Sequence, residues 1–186
     1  VLGILMAYLS VRKRNPFTAL LDVTTMFPYI ISGSVLGIML LMAFNKRPLI
    51  LTGTYAIIII AFVIRRLPHT LRSSVGILYQ INPNTEDAAI SLGAPPAMAF
   101  FEVTMKLMLP GVLTGAILSW ITIINELSST LMLYTGKTQT MTVTIFQEIS
   151  RGGYGTAAAL STILTLTMIA SLLLFFRLTK SEDIDL

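Results

Sequence analysis

Val23 to Phe44 is 22 residues without a charged side chain, and few folds can accommodate such a run. Wound as α-helix it measures about 33 Å, enough to cross a hydrocarbon core of about 30 Å. Thr156 to Phe176 adds 21 more uncharged residues. Leu49 to Leu67 reads as a third span, started by Pro48 at a favourable first-turn position and stopped by Pro68. Its Arg65 and Arg66 stand at the end, where long side chains snorkel to the headgroups. A fourth span runs from about Gly111 to Leu133 and encloses Asn125 and Glu126. The apolar opening, Val1 to Leu9, reads as a truncated span whose start lies upstream. One such run fits a buried soluble helix; four and part of a fifth do not. The expected fold is an all-α polytopic membrane bundle of about five spans, forming one domain over residues 1–186.

Composition agrees. Charged residues make up 12% of the chain, about half the roughly 25% usual in soluble domains, and mean hydropathy is +0.80. Cysteine is absent, which removes disulfides and thiolate metal sites and leaves the redox compartment open. The pI of 9.6 does not indicate nucleic acid, because the basic residues form no continuous stripe with interleaved aromatics. Their distribution instead orients the bundle. Alternating the spans gathers Arg12, Lys13, Arg14, Arg65, Arg66, Arg72, Lys106, Arg177 and Lys180 on one side, nine in all. Lys46, Arg47, Lys137 and Arg151, four in all, fall on the other. The basic side is expected to be cytoplasmic, and with it the C-terminus. Gly33 with Gly37, and Gly111 with Gly115, are spaced for close helix approach. Either a dimer seam or packing inside the bundle would use them.

The longest stretch between spans, residues 68–110, has its own organisation. Asn82-Pro83-Asn84-Thr85 supplies a turn and a candidate N-cap. Glu86 and Asp87 fall in a first helical turn, where carboxylates complement the positive end of the helix. Ala88 to Leu92 continue the helix, and Gly93 can end it in a left-handed conformation. Pro95 is placed to begin a second helix toward Leu109, and Pro110 to turn the chain into the membrane.

Asp87-Ala88-Ala89, three residues, Gly93, nine residues, then Val103 resembles the EAA loop of the permeases of binding-protein-dependent ABC importers. That pattern is Glu-Ala-Ala, three residues, Gly, nine residues, an aliphatic residue, one residue, then Leu-Pro. Asp87 stands where Glu is usual, and Met105-Lys106 departs from the first Leu-Pro. Leu109-Pro110-Gly111 matches a second Leu-Pro-Gly common in the iron(III)-type branch, as does the doubling of Glu86 with Asp87. Arg65-Arg66-Leu67-Pro68, Leu71-Arg72-Ser73, Glu126-Leu127-Ser128-Ser129 and Gly153 to Ala159 extend the likeness over essentially the whole chain.

The resemblance implies a type I ABC importer permease fold in a bacterial inner membrane. It implies a transport subunit with no catalysis and no cofactor of its own, ATP and magnesium being bound by a partner ATPase subunit. The other implied partners are an extracytoplasmic substrate-binding protein and a second permease half, fused or a second copy. Glu86, Asp87, Ala88, Ala89, Gly93, Val103, Leu109 and Pro110 are then the expected ATPase-coupling residues. Asn125, Glu126, Ser128 and Ser129 are the pathway candidates. Iron(III) is the expected substrate, with thiamine, phosphonates, polyamines or oxyanions as alternatives carried by related branches.

Read singly, Glu126 is a carboxylate inside an otherwise apolar span, and burying it ionised is costly. It is expected either on the pathway or as a hydrogen-bond anchor with Asn125; the depth of Arg65 and Arg66 argues against either as its partner. His69, the single histidine, lacks the further ligands that a metal site needs. Gly136-Lys137-Thr138 resembles the end of a P-loop, but the earlier glycine is replaced by Leu131. Residues 142–150 read as a short helix on the outer face. A membrane-embedded enzyme would need a positioned nucleophile or acid–base pair, which one lone carboxylate does not supply. A purely structural bundle would leave the capped loop without a purpose.

Overall fold

The computed structural model describes residues 2–12 and 15–182, and every regular element among them is helical. Lys13 and Arg14 of the basic cluster, and residues 183–186 of the tail, lie outside the described residues. In chain order the helices are α1 (Leu2–Arg12), α2 (Pro16–Ile30), α3 (Gly33–Ala43), α4 (Tyr55–Leu78), α5 (Asn84–Ser91) and α6 (Pro96–Ala99). A π turn, Phe100–Thr104, joins α6 to α7 (Met105–Ile124); α8 (Thr130–Leu133), α9 (Met141–Ser150) and α10 (Tyr154–Glu182) follow.

By length and composition, two described stretches, Pro96–Ile124 and Tyr154–Arg177, can cross a membrane, and the bent pair Pro16–Ile30 with Gly33–Ala43 passes the same test together. Tyr154–Arg177 agrees with the expected last span, and α9 with the expected short helix.

Three expected spans are redrawn. The 22-residue run is not one helix, since α2 and α3 are bent by 110° at a short break. Pro28 lies inside α2 and removes a backbone donor, and Ser32 is extended (φ −58°, ψ 142°) ahead of Gly33. A count of uncharged residues cannot see this break. The third span does not begin at Leu49: helix starts at Tyr55 and runs through Pro68 to Leu78. Pro68 is buried, and such prolines are tolerated in membrane helices because neighbouring groups satisfy the freed carbonyl. The fourth span is shifted by more than a turn, for Pro110 lies inside α7 rather than ahead of it, and the helix ends at Ile124.

Two compact units divide the chain. One comprises Val1–Met26 and Leu67–Ser119. Its core is Ile4, Leu78, Phe100 and Met108, with Tyr8, Ile77 and Val112 packed against it. Here a Cβ added to Gly111 would run into Ile77, and one added to Gly115 into Ser73. The other unit comprises Phe27–Arg66 and Trp120–Leu186, around Leu36, Leu40, Ile57, Ile58, Ala61 and Leu133. Gly33 there meets Arg65 and Ser128, and Gly37 meets Met132. All four glycines are buried against side chains of this chain, which favours bundle packing over a dimer seam. On α10, by contrast, Ile163, Leu166, Ile169, Leu173, Leu174 and Phe176 are exposed, as suits a helix solvated by lipid.

A Cβ on Gly37 would lie 2.7 Å from Met132 Cβ and 3.2 Å from the Ser129 carbonyl oxygen. Neither atom can swing aside, so Gly37→Ala is expected to destabilise by about 1–3 kcal/mol. Gly76 is the contrast: exposed within α4, with nothing within 4 Å of an added Cβ. Gly76→Ala is expected to stabilise by up to about 1 kcal/mol. Unfolding of the purified protein in detergent checks both; equal effects would mean that the α3 contact is not as drawn.

Candidate functional site

The loop between α4 and α7 folds largely as its residues dictate. The Asn84 backbone N–H donates to Asn82 Oδ1 at 3.0 Å, and α5 follows with Glu86 and Asp87 in its first turn. Gly93 adopts φ +98°, the left-handed conformation expected of it. Pro95 is extended and Pro96 takes the first helical position, one residue later than expected. The result is a helix, a glycine reversal and a second helix. Its outer face carries Asp87, Ala88 and Ile90, and Leu92 at the tip is 90% exposed. Leu92 was not singled out in the sequence, because burial patterns do not distinguish an apolar tip residue from a core one.

The two carboxylates part company. Asp87 is exposed. Glu86 is 8% exposed; its Oε1 accepts from the Tyr8 hydroxyl and its Oε2 from Thr104 Oγ1 at 2.9 Å. Of the acidic pair, only Asp87 is free to meet an outside donor. Ala89 and Val103 are half-buried, whereas Leu109 and Pro110 lie on the exposed side of α7.

A second cluster forms where α7 stops. Glu126, 7% exposed, sits in the non-helical step between α7 and α8. Its Oε2 lies 3.1 Å from Arg66 Nη2 and 3.4 Å from Arg65 Nε. Its Oε1 accepts from the Ser129 backbone N–H and hydroxyl, both at 3.2 Å. Arg66 Nη2 also donates to the Thr122 carbonyl at 2.8 Å. Thr130 and Thr142 hydroxyls donate to the Glu126 carbonyl at 2.7 and 3.1 Å. The expectation that depth keeps Arg65 and Arg66 from Glu126 is therefore corrected. It assumed that Pro68 ends the helix, which would put both arginines at its end; with α4 reaching Leu78 they stand near its middle.

Of the pathway candidates, Glu126 and Ser129 are brought together. Asn125 is directed elsewhere, donating to the Ile121 carbonyl at 2.9 Å and lying 3.2 Å from Met168 Sδ on α10. Ser128 is exposed, with its Cβ against Gly33. Asn125 also lines a recess with Thr142, Phe146, Ser161 and Thr165. Asp22 is a carboxylate within the apolar helix α2, and it borders a cavity with Ser10, Thr18, Arg72 and Tyr79. It escaped the sequence reading because the uncharged run was counted from the residue after it.

The chain is 32% identical over 173 residues to the "Ferric transport system permease protein FbpB" of Actinobacillus pleuropneumoniae, covering 93% of this chain and 25% of that protein. It is 27% identical over 196 aligned residues to the "Sulfate transport system permease protein CysT" of Escherichia coli (strain K12), covering 98% of this chain and 70% of that one. The chain thus spans about a quarter of the length of its ferric relative. The model of the "Binding-protein-dependent transport system inner membrane component" family matches residues 1–181. Resemblance, helical architecture and family match agree, and the chain belongs to that family of membrane-embedded ABC importer permeases.

Proposed function

We propose that this chain is part of the permease subunit of an ABC importer, forming substrate pathway and coupling it to a separate ATPase subunit. The observation that carries the reading is the α5–Gly93–α6 reversal, with its exposed outer face, inside a chain matched over residues 1–181 by the permease family. On this reading Asp87, Ala88, Ala89 and Gly93 form the docking surface, and Glu86, Val103, Leu109 and Pro110 belong to its connection with α7. Asn125, Glu126, Ser128 and Ser129 border the pathway. ATP and magnesium belong to the ATPase subunit, cargo arrives on an extracytoplasmic binding protein, and a second permease half, fused or a second copy, completes the path. The loop and the C-terminus face the cytoplasm.

Iron(III) is the proposed substrate, supported by the greater identity to the ferric relative than to the sulfate one. Uptake of radioactive iron(III) by vesicles holding the whole transporter, its binding protein and ATP tests this. Accumulation of sulfate in place of iron would move the chain to an oxyanion branch.

Topology has its own test, made clean by the absence of native cysteine. Thiol probes are expected to label Ser91→Cys from the cytoplasm and Gly152→Cys from outside. Labelling of Ser91→Cys from outside would remove the docking role.

A further inference from the structure

Glu86 does something that a docking residue has no need to do. It leaves the outer face of α5 and closes a ring of contacts behind it. Its Oε1 takes the Tyr8 hydroxyl of α1, and its Oε2 takes the Thr104 hydroxyl at 2.9 Å. Thr104 is the last residue of the π turn, and Phe100 is the first. The Tyr8 ring in turn packs edge-on against Phe100, with centroids 4.6 Å apart and planes at 66°. Two side chains, Tyr8 and Glu86, thus grip both ends of the one π-wound segment between α6 and α7. Thr104 is 1% exposed and Phe100 8%, so the grip is enclosed.

A π turn closes its hydrogen bonds one residue further along the chain than α-helix does; such turns are rare and occur frequently at functional positions. It is also an element with two discrete arrangements, since rewinding to α-helix turns everything beyond it about the helix axis. What lies beyond it here is α7, the helix that ends at Ile124, two residues before Glu126. A displacement of α5 pulls on Glu86, and Glu86 is bonded to the far end of the π turn.

We propose that Glu86 is a positioning residue. With Tyr8 and Thr104 it forms a clamp that fixes the π turn and passes movement of the docking helix α5 into α7. This rests on the reading of the chain as a permease coupled to an ATPase subunit. The clamp makes no contact with the ATPase; it links what touches the ATPase to what lines the path.

The test uses the complete transporter in vesicles, comparing Tyr8→Phe and Thr104→Val with wild type. Tyr8→Phe keeps the ring packed on Phe100 and removes one hydrogen bond; Thr104→Val keeps shape and removes the other. Four quantities are read: ATPase subunit retained on purification, basal ATP hydrolysis, its stimulation by loaded binding protein, and uptake. Tyr8→Phe and Thr104→Val are expected to retain the ATPase subunit and basal hydrolysis, while stimulation and uptake fall at least about fivefold, the lower edge of ordinary coupling energies. Stimulation and uptake at wild-type levels in Tyr8→Phe and Thr104→Val would overturn the clamp. Loss of the ATPase subunit from those two variants would overturn it too, by making Glu86 a scaffold of the docking face. If the wild-type chain itself retained no ATPase subunit, the permease reading would fall first.

Discussion

Glu126→Ala is expected to destabilise the protein by about 3–5 kcal/mol, because it strips the counter-charge from two largely buried guanidiniums. Arg65 and Arg66 side chains are 23% and 13% exposed, and the Glu126 side chain 6%. One carboxylate oxygen serves both arginines, and the other holds the Ser129 N–H and hydroxyl at the head of α8. Ala removes all of these at once. Gln keeps an acceptor for Ser129 but no negative charge, so Glu126→Gln is expected to be nearly as damaging. A hydrogen-bond anchor with Asn125 would have tolerated Gln, but Asn125 points to α10 instead. Replacing Glu126, Arg65 and Arg66 together by leucine is expected to recover much of the stability, since buried ion clusters are often replaceable by apolar residues. Uptake is expected to stay lost if the charges belong to the pathway. Protein yield and unfolding in detergent give the first answer, and vesicle uptake gives the second. Wild-type stability of Glu126→Gln would contradict the ion cluster.

Gly93→Ala is expected to uncouple the transporter by strain alone. Nothing lies within 4 Å of an added Cβ at this residue, so Gly93→Ala isolates the backbone strain from the further bulk of Gly93→Leu. The cost is that of holding an L-residue at φ +98°, about 1–2 kcal/mol. The α5–α6 turn relieves it by re-aiming α5, which moves Asp87, Ala88 and Leu92 off their common face. ATPase association is then expected to weaken up to about tenfold, since about 1.4 kcal/mol corresponds to that factor. Co-purification at graded ATPase concentrations measures it, and binding as tight as wild type in both variants would show that α5 is not the docking element.

What the sequence made legible follows from which forces act locally. The α5 start, the Gly93 reversal and α10 were readable because caps, left-handed glycine and uncharged length are properties of neighbouring residues. The break at Ile31–Ser32 was not, because hydropathy is blind to Pro28 and to an extended serine. Nor was the passage of α4 through Pro68 or α7 through Pro110, where tertiary packing overrides a local helix breaker. Partnerships are harder still. Tyr8 with Glu86 spans 78 positions and Arg66 with Glu126 spans 60, separations at which spacing carries no signal. An error in one helix boundary then propagates, and misplacing the end of α4 hid the arginines from their carboxylate.

On the proposed function, the α5–Gly93–α6 loop is the surface that an ATP-hydrolysing subunit covers. Leu92, 90% exposed at its tip, gives the most direct reading in a chain without native cysteine. Leu92→Cys, in membranes lacking the ATPase subunit, should react fast with a thiol reagent supplied from the cytoplasmic side. Adding the ATPase subunit should slow that reaction at least about tenfold, as burial in an interface does, while a cysteine at Gly76 keeps its rate. Equal rates for Leu92→Cys with and without the ATPase subunit would contradict the account.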